Sequence, residues 1–233
     1  MNLTAMPDAP APSAKRDDQM SLAADLRPAN VVRVLENDGL EALAYTLDTE
    51  PDLVREMGAC LAGDERRRAG SLVRKRDRER FIITRGRLRH LLASRLDVQP
   101  SDVELEYGPQ GKPRLSRRMH LRELHFSVSR SEDMAVIALS NLREVGVDIE
   151  AVRPVPEADA IAALCFSVPE HESYRALRPE EKPEGFLRRW TRLEAIAKAS
   201  GGGLVGALPS EDRNWAAYSF VLQPGYLGTI VQN

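Results

Sequence analysis

The sequence contains little cysteine, few aromatic residues and no long apolar run. Cys60 and Cys165 are the only cysteines among 233 residues, too few for a disulfide framework, and this favours a reducing compartment. No apolar run approaches the ~20 residues of a membrane span. The charged residues 15–18 also interrupt any apolar stretch of signal-peptide type near the N-terminus. We therefore expect a cytoplasmic protein that does not bind a membrane.

The chain also lacks a net charge of either sign. It has 33 Lys and Arg against 35 Asp and Glu, a formal charge of −2. This balance argues against a uniformly basic protein that coats nucleic acid, and against an acidic disordered chain. With 42% hydrophobic residues the composition is that of an ordinary globular protein. The length allows one large domain or two small ones.

Hydrophobic patterning predicts a mixed α+β fold. Residues 1–29 contain four prolines and are expected to be a mobile leader. Leu40, Leu43 and Leu47 have helical spacing, and residues 157–200 are predicted to be mainly helical up to the glycines at 201–203. The predicted strands are Val31–Leu35, Asp102–Leu105, His125–Ser129, Met134–Leu139, Val145–Glu150, Tyr218–Leu222 and Leu227–Val231. Residues 108–113, 129–133 and 141–144 are predicted turns or loops.

Residues 66–89 depart strongly from the average charge. They hold eleven basic and two acidic residues, so a local charge of +9 leaves −11 for the rest of the chain. Phe81, Leu88, Leu92 and Leu96 recur at helical spacing beside the arginines, which predicts an amphipathic helix with a cationic outer face. Such a face is either simply solvated or binds an anion, and the size of the imbalance favours anion binding.

Two acidic residues share one face of a predicted strand. In the sequence Val145-Gly-Val-Asp-Ile-Glu150, Asp148 and Glu150 point the same way, while Val145, Val147 and Ile149 point into the core. Neighbouring carboxylates repel each other unless a cation lies between them, and Mg²⁺ is the natural candidate. The alternative is a solvated strand edge.

Two further patterns could bind phosphate. Trp190, Glu194 and Lys198 lie on one helical face, as either a surface ion pair beside a core Trp or a carboxylate and an ammonium presented to a ligand. Lys112, in Gly111-Lys112-Pro113, lies on a rigid loop that is either a plain turn or a phosphate contact.

These motifs, in this order, resemble the 4′-phosphopantetheinyl transferase family. The resemblance spans about residues 61–204 and fits the long, surfactin-type branch. It rests on the following segments: Gly111-Lys112-Pro113, His125–Ser129, Val145–Glu150, Phe166-Ser167-x-x-Glu170 and Trp190-x-x-x-Glu194-x-x-x-Lys198. It implies two pseudo-symmetric α/β halves packed face to face, with the active site and coenzyme A at their interface. The halves would be residues 30–144 and 145–233.

The resemblance also implies a reaction and its residues. The enzyme would move the phosphopantetheine arm of coenzyme A onto a serine of an apo acyl or peptidyl carrier protein and release adenosine 3′,5′-bisphosphate. The implied Mg²⁺ ligands are Asp148, Glu150 and Glu194. Glu194 would also help to deprotonate the serine, and Lys198 would stabilise charge on the pyrophosphate. The implied coenzyme A contacts are Arg67, at the 3′-phosphate, and Arg80, Lys112 and Ser129, at the nucleotide and its phosphates.

The sequence departs from the family pattern at two positions. Leu193 stands where the family usually has lysine, so one phosphate-side cation is missing, and Arg192 is rotated about 100° away on the helix. Arg130 stands where many members have histidine, and an arginine can contact phosphate bidentately.

Two other functions stay open at this point. One is a non-enzymatic nucleic-acid or polyanion binder that uses residues 66–89, although only Phe81 interleaves with the arginines and a stacking platform is missing. The other is a family member that binds coenzyme A with weak or no turnover. Under the leading hypothesis the chain binds no nucleic acid, and a monomer is sufficient because both halves are in one chain.

Overall fold

The computed structural model describes residues 31–37, 39–119, 123–203, 215–222 and 225–233. The expected mobile leader, residues 1–29, lies outside the described residues. The strands are β1 (Val31–Asn37), β2 (Leu40–Thr46), β3 (Leu105–Tyr107), β4 (Pro113–Leu115), β5 (His125–Ser131), β6 (Met134–Ser140), β7 (Val145–Ala151), β8 (Ala216–Leu222) and β9 (Tyr226–Gln232). The helices are α1 (Pro51–Ala59), α2 (Gly63–Ser71), α3 (Lys75–Leu96), α4 (Ala158–Cys165), α5 (Val168–Arg175) and α6 (Lys182–Ser200). The α+β prediction is confirmed.

Two antiparallel sheets carry the same topology. The first sheet has the order β1-β2-β6-β5 and the second the order β7-β9-β8. Among the described residues, a strand (β2 or β7) is followed in each unit by three α-helices and then by a pair of strands (β5 and β6, or β8 and β9). The second strand of that pair also pairs with the first strand of the unit. Strand β1 and the small β3–β4 pair are additions to the first unit. The chain is thus two-halved, as predicted, and the boundary before Val145 stays a prediction.

The two units stack in four layers, helix–sheet–sheet–helix. Ala42 of β2 and Val136 of β6 face Val147 and Ile149 of β7 in a core between the sheets. On the outer face of the first sheet, Leu43, Tyr45, Ile137 and Leu139 pack against α3 through Ile83, Leu88 and Leu92. On the outer face of the second sheet, Leu227 and Val231 pack against α6 through Leu193 and Ala195. The stacking leaves the edges of β5 and β7 side by side.

Several predicted elements are confirmed. Alternation in β5 sends Phe126 and Val128 toward the core under α3, while the serines point to the second sheet. Every residue of β6 is buried, as its continuous apolar sequence predicts. Helix α6 ends at Ser200, and Gly201, which follows it, has a φ of 68° that favours glycine.

The helical interpretation of Leu40, Leu43 and Leu47 is wrong. These residues belong to strand β2 and the turn that follows it. Leu40 contributes to the core between the sheets and Leu43 to the core under α3. Because β2 is buried on both faces, it lacks the polar alternation that identifies a strand from sequence.

Two other predicted boundaries are also wrong. Residues 100–102 form a short 3₁₀ turn, and the strand predicted for Asp102–Leu105 begins at Leu105. Strand β5 continues through Ser131, so the turn predicted for 129–133 is only Glu132 and Asp133, with Glu132 at a φ of 48°.

The basic stretch is not one helix with a wholly cationic outer face. It spans α2 and α3, with a break at residues 72–74. Arg80, Arg87 and Arg89 are buried rather than solvated. The Arg89 Nε donates to Glu65 Oε2 at 2.6 Å, and Arg80 pairs with Asp48. Three of the eleven positive charges of this stretch are therefore inside the fold, which a count of charges along the chain does not show.

Candidate active site

The site lies where β7 meets α6. Asp148 and Glu150 project from β7, and Glu194 and Lys198 project from α6. The helix can approach the strand this closely because Gly146 has no side chain. A Cβ at that position would lie 1.9 Å from the carbonyl oxygen of Ala195. The sequence Val-Gly-Val-Asp-Ile-Glu therefore provides both the carboxylates and the space for the helix that faces them.

Asp148 is the centre of a hydrogen-bond network that joins both halves. Its Oδ1 accepts a hydrogen bond from Ser129 Oγ at 2.8 Å and one from Lys198 Nζ at 2.6 Å. Lys198 Nζ also donates to Ser129 Oγ at 2.9 Å. Asp148 Oδ2 is buried and has no hydrogen-bond partner. A buried carboxylate oxygen without a donor is costly, so this atom points to an additional cationic or donor group.

Burial raises the pKa values of all three carboxylates. Burial raises the pKa of Asp148, against the opposing effect of Lys198 and Ser129. Burial, with a smaller contribution from Asp148, raises the pKa of Glu150 and that of Glu194. Each group would therefore gain from a second positive charge.

Two adjoining cavities, of about 360 Å³ and about 430 Å³, lie at the site: Glu194 lines both, and all three carboxylates line the second. Pro113, Val128, Glu194 and Lys198 form walls of both. Gln110, Gly111, Lys112 and Phe126 extend the first cavity, whereas Arg85, Arg130, Asp148 and Glu150 extend the second. Glu194 and Lys198 thus lie at the junction of a mainly apolar space and a strongly charged one, and Asp148 and Glu150 lie in the charged one.

Some of the predicted coenzyme A contacts lie on this cleft and others do not. Lys112 lines the first cavity, and its Nζ donates to Glu144 Oε2 at 3.2 Å and to the carbonyl oxygen of Ala199 at 3.4 Å. Ser129 and Arg130 line the second cavity. Arg67 is exposed on α2 and lines neither of them.

Arg80 is held by an internal partner. Its Nε donates to Asp48 Oδ1 at 2.7 Å and its Nη2 to Asp48 Oδ2 at 2.9 Å. Hydrogen bonds from Arg80 and Arg76 lower the pKa of Asp48 well below its usual range. This bidentate pair directs the guanidinium of Arg80 toward Asp48, and Arg80 lines neither cavity.

Sequence reasoning missed Arg85 as a site residue. Its guanidinium carbon lies 5.8 Å from the ring centre of Phe81 and 5.5 Å from that of Tyr107. The two rings hold it against the wall of the second cavity, which also contains Arg130. The sequence pattern that could have identified Arg85 is its position four residues after Phe81, on the same face of the helix.

The carboxylate oxygens of Asp148, Glu150 and Glu194 are suitable ligands for Mg²⁺, but they are not close enough together to form a complete coordination site. In the described part of the chain, no three His, Cys, Asp or Glu residues lie close enough together to form a recognisable metal cluster. The oxygen ligands are nevertheless those that a hard cation prefers, and Asp148 Oδ2 is left without a partner. The Lys198 ammonium lies against the other oxygen of the same carboxylate.

Leu193 lies in the core under α6, where its side chain is 9% exposed. Arg192 is exposed on another face of the helix. The structure therefore shows no cation at position 193 and no substitution by its neighbour, whereas Arg85 and Arg130 supply positive charge from the opposite half.

Comparison with known proteins decides the family. The 4′-phosphopantetheinyl transferase superfamily model matches residues 144–223, and the model of the N-terminal part of 4′-phosphopantetheinyl transferases matches residues 49–142. The 4′-phosphopantetheinyl transferase HetI of Nostoc is 34% identical over 179 residues, covering 77% of this chain and 75% of HetI. The chain belongs to the 4′-phosphopantetheinyl transferase family.

Other relatives give the same family name. A putative 4′-phosphopantetheinyl transferase of Synechocystis is 35% identical, with 76% of this chain and 72% of the relative covered. The 4′-phosphopantetheinyl transferase AcpT of Escherichia coli is 39% identical over 125 residues, which are 54% of this chain and 59% of AcpT. The protein is therefore a transferase of this family. Among its described helices, none combines the length and apolar character needed to cross a bilayer.

Proposed function

We propose that this protein transfers the 4′-phosphopantetheine arm of coenzyme A to a serine of an apo acyl or peptidyl carrier protein in a Mg²⁺-dependent reaction. The observation that carries the proposal is the buried, unpartnered Oδ2 of Asp148, beside Lys198 and with two further carboxylates on the second cavity, which shares Glu194 and Lys198 with the first. A polyphosphate ligand with a divalent cation matches this arrangement of charges. Assignment to the surfactin-type branch, a cytoplasmic location and a monomeric state remain predictions.

Asp148, Glu150 and Glu194 would hold the metal ion. When bound, Mg²⁺ neutralises phosphate oxygens and stabilises the charge that develops on the leaving group. Lys198, which projects into both cavities, is placed to support the pyrophosphate, and Arg85 and Arg130 add positive charge at the second cavity. Lys112 and Ser129 are the remaining proposed contacts on the cleft, while roles for Arg67 and Arg80 are predictions from the family resemblance alone.

The transfer forms one bond and breaks one. The serine Oγ attacks the phosphorus that bears the pantetheine arm, and the bond from that phosphorus to the bridging oxygen breaks. The electron pair leaves with adenosine 3′,5′-bisphosphate, and the serine proton passes to a base. Glu194 suits the role of base because it lines both cavities and because burial raises its pKa.

The test is to incubate the protein with coenzyme A, Mg²⁺ and a panel of apo carrier proteins, and to weigh each carrier by mass spectrometry. We expect at least one carrier to gain the mass of one phosphopantetheine arm, and this gain to disappear when Mg²⁺ is chelated. A folded enzyme that modifies no carrier would contradict the proposal. Coenzyme A binding by calorimetry without any mass gain would support the alternative of a binder with weak or no turnover.

The polyanion-binding alternative is weakened by the burial of Arg80, Arg87 and Arg89. These side chains contribute to the +9 charge of the stretch but are not available to a nucleic acid at the surface. Salt-sensitive RNA or DNA binding that survives Asp148→Asn would favour this alternative.

A further inference from the structure

The edges of the two sheets are joined by three serine side chains, which we call the serine seam: Ser127, Ser129 and Ser131 of β5. Their hydroxyl oxygens accept hydrogen bonds from the backbone N–H groups of Val147 (3.1 Å), Ile149 (3.4 Å) and Ala151 (3.1 Å) of β7. The three serines lie at every second position of β5 and the three N–H groups at every second position of β7, so each hydroxyl faces one N–H group. The halves therefore meet through side chains rather than through a backbone ladder.

Each seam hydroxyl also lies beside the β7 residue that precedes its N–H donor in the sequence. At Ser129 this residue is Asp148, and at Ser131 it is Glu150, whose Oε2 accepts a hydrogen bond from Ser131 Oγ at 2.8 Å. At Ser127 the corresponding residue is Gly146, which has no side chain. The same hydrogen-bond geometry thus occurs three times, twice with a carboxylate beside the hydroxyl and once without one.

The backbone contact fixes the direction of the Ser131 proton. A hydroxyl has one proton to donate, and its oxygen already accepts the N–H of Ala151. The proton is therefore left for Glu150 Oε2. Ser131 is itself 8% exposed, so water competes little for this bond, and bonds to a charged acceptor are among the stronger ones.

We propose that Ser131 is a positioning residue that holds the Glu150 carboxylate in place for the divalent cation. This inference rests on the proposed function, since the cation is part of it. By engaging one carboxylate oxygen, Ser131 prevents the side chain from rotating away and leaves the other oxygen to bind the metal. Residues that orient metal ligands in this way typically change metal affinity by about 10–100-fold when they are removed.

The test compares Ser131→Ala with Ser127→Ala, which loses the same type of seam hydrogen bond but has no carboxylate partner. Mn²⁺ is the probe, because its free concentration can be followed by electron paramagnetic resonance in protein saturated with coenzyme A. We expect Ser131→Ala to weaken Mn²⁺ binding about tenfold or more, Ser127→Ala to leave it unchanged, and Ser131→Thr to restore most of the affinity.

Thermal unfolding of the same variants separates positioning from stability. Both alanine variants lose one hydrogen bond from a backbone N–H group of β7, and Ser131→Ala also loses the bond to Glu150. We therefore expect both melting temperatures to fall, that of Ser131→Ala at least as far, and metal affinity to fall in Ser131→Ala alone. Mn²⁺ binding by Ser131→Ala at wild-type affinity, or an equal loss in Ser127→Ala, would overturn the positioning role while leaving the proposed reaction intact. Wild-type protein that binds no Mn²⁺ but still modifies a carrier would overturn the positioning role and the metal dependence, whereas the absence of carrier modification would count against the reaction itself.

Discussion

Replacing Arg89 with Met should strongly destabilise the protein, although Arg89 belongs to the basic stretch 66–89, whose sequence predicts a cationic outer face. The side chains of Arg89 and Glu65 are each only 2% exposed, and the Arg89 Nε lies 2.6 Å from Glu65 Oε2. The Nη1 of Arg89 also donates to the carbonyl oxygens of Pro100 and Val103, each at 2.9 Å. Arg89 thus ties α3 to α2 and to the segment that precedes β3.

The magnitude follows from what the substitution leaves behind. Glu65 Oε1 is already buried without a partner, so Arg89→Met would leave a buried carboxylate whose remaining donor is the backbone N–H of Ala62. Removing one member of a buried ion pair typically costs about 3–5 kcal/mol, a large part of the ~5–15 kcal/mol that stabilises a domain.

Urea unfolding followed by circular dichroism measures this cost. Arg68→Met is the matched control, because Arg68 lies in the same basic stretch but is exposed, and we expect a change within about 0.5 kcal/mol. The double variant Glu65→Leu with Arg89→Met should recover part of the loss, since it removes the unpaired charge. An Arg89→Met protein within ~1 kcal/mol of wild type would refute the assignment of Arg89 to the interior.

Three further predictions concern the cleft and its support. Lys198→Ala should raise Mn²⁺ affinity severalfold, because it removes an ammonium 2.6 Å from Asp148 Oδ1, and it should slow transfer by about 100-fold or more. An Mn²⁺ titration and a carrier assay measure the two effects. An unchanged Mn²⁺ affinity would argue against competition between Lys198 and the metal. Gly146→Ala should lower the melting temperature markedly, because its Cβ would overlap the carbonyl of Ala195, and a melting temperature equal to that of wild type would contradict the close approach of α6. A hydrogen bond from His125 and the charge of Lys112 lower the pKa of Glu144 from its usual 4.5 to about 2, so the carboxylate stabilises the fold above about pH 4.5 and this contribution is lost as the pH falls through 2. Glu144→Gln should therefore be less stable than wild type by less than about 1 kcal/mol at pH 6, and the difference should shrink between pH 4.5 and pH 2 in urea titrations.

Local sequence patterns were sufficient for most of the site. Alternation along β7 placed Asp148 and Glu150 on one face, and helical spacing placed Glu194 and Lys198 together. The structure brings these four side chains to one cleft. The chemistry assigned to them in transfer remains the proposal.

Other features depend on partners that are distant in sequence. Arg80 and Arg89 are buried because Asp48 and Glu65 neutralise them, and no local pattern carries that information. Strand β2 lies between α3 and the second sheet and is buried on both faces, so its sequence lacks the alternation of apolar and polar residues that identifies a strand. The role of Ser131 could not be predicted because it depends on the edge of β7 lying beside that of β5.

The most direct test of the central claim is a stoichiometric transfer assay with an active carrier. Mass spectrometry of the carrier and chromatography of adenosine 3′,5′-bisphosphate should give equal molar amounts of modified carrier and released nucleotide. We expect Asp148→Asn and Glu194→Gln to abolish both products while the protein stays folded, and Glu180→Gln, at an exposed surface pair with Arg178, to leave both unchanged. Near-normal yields of both products from Asp148→Asn or Glu194→Gln would contradict the account.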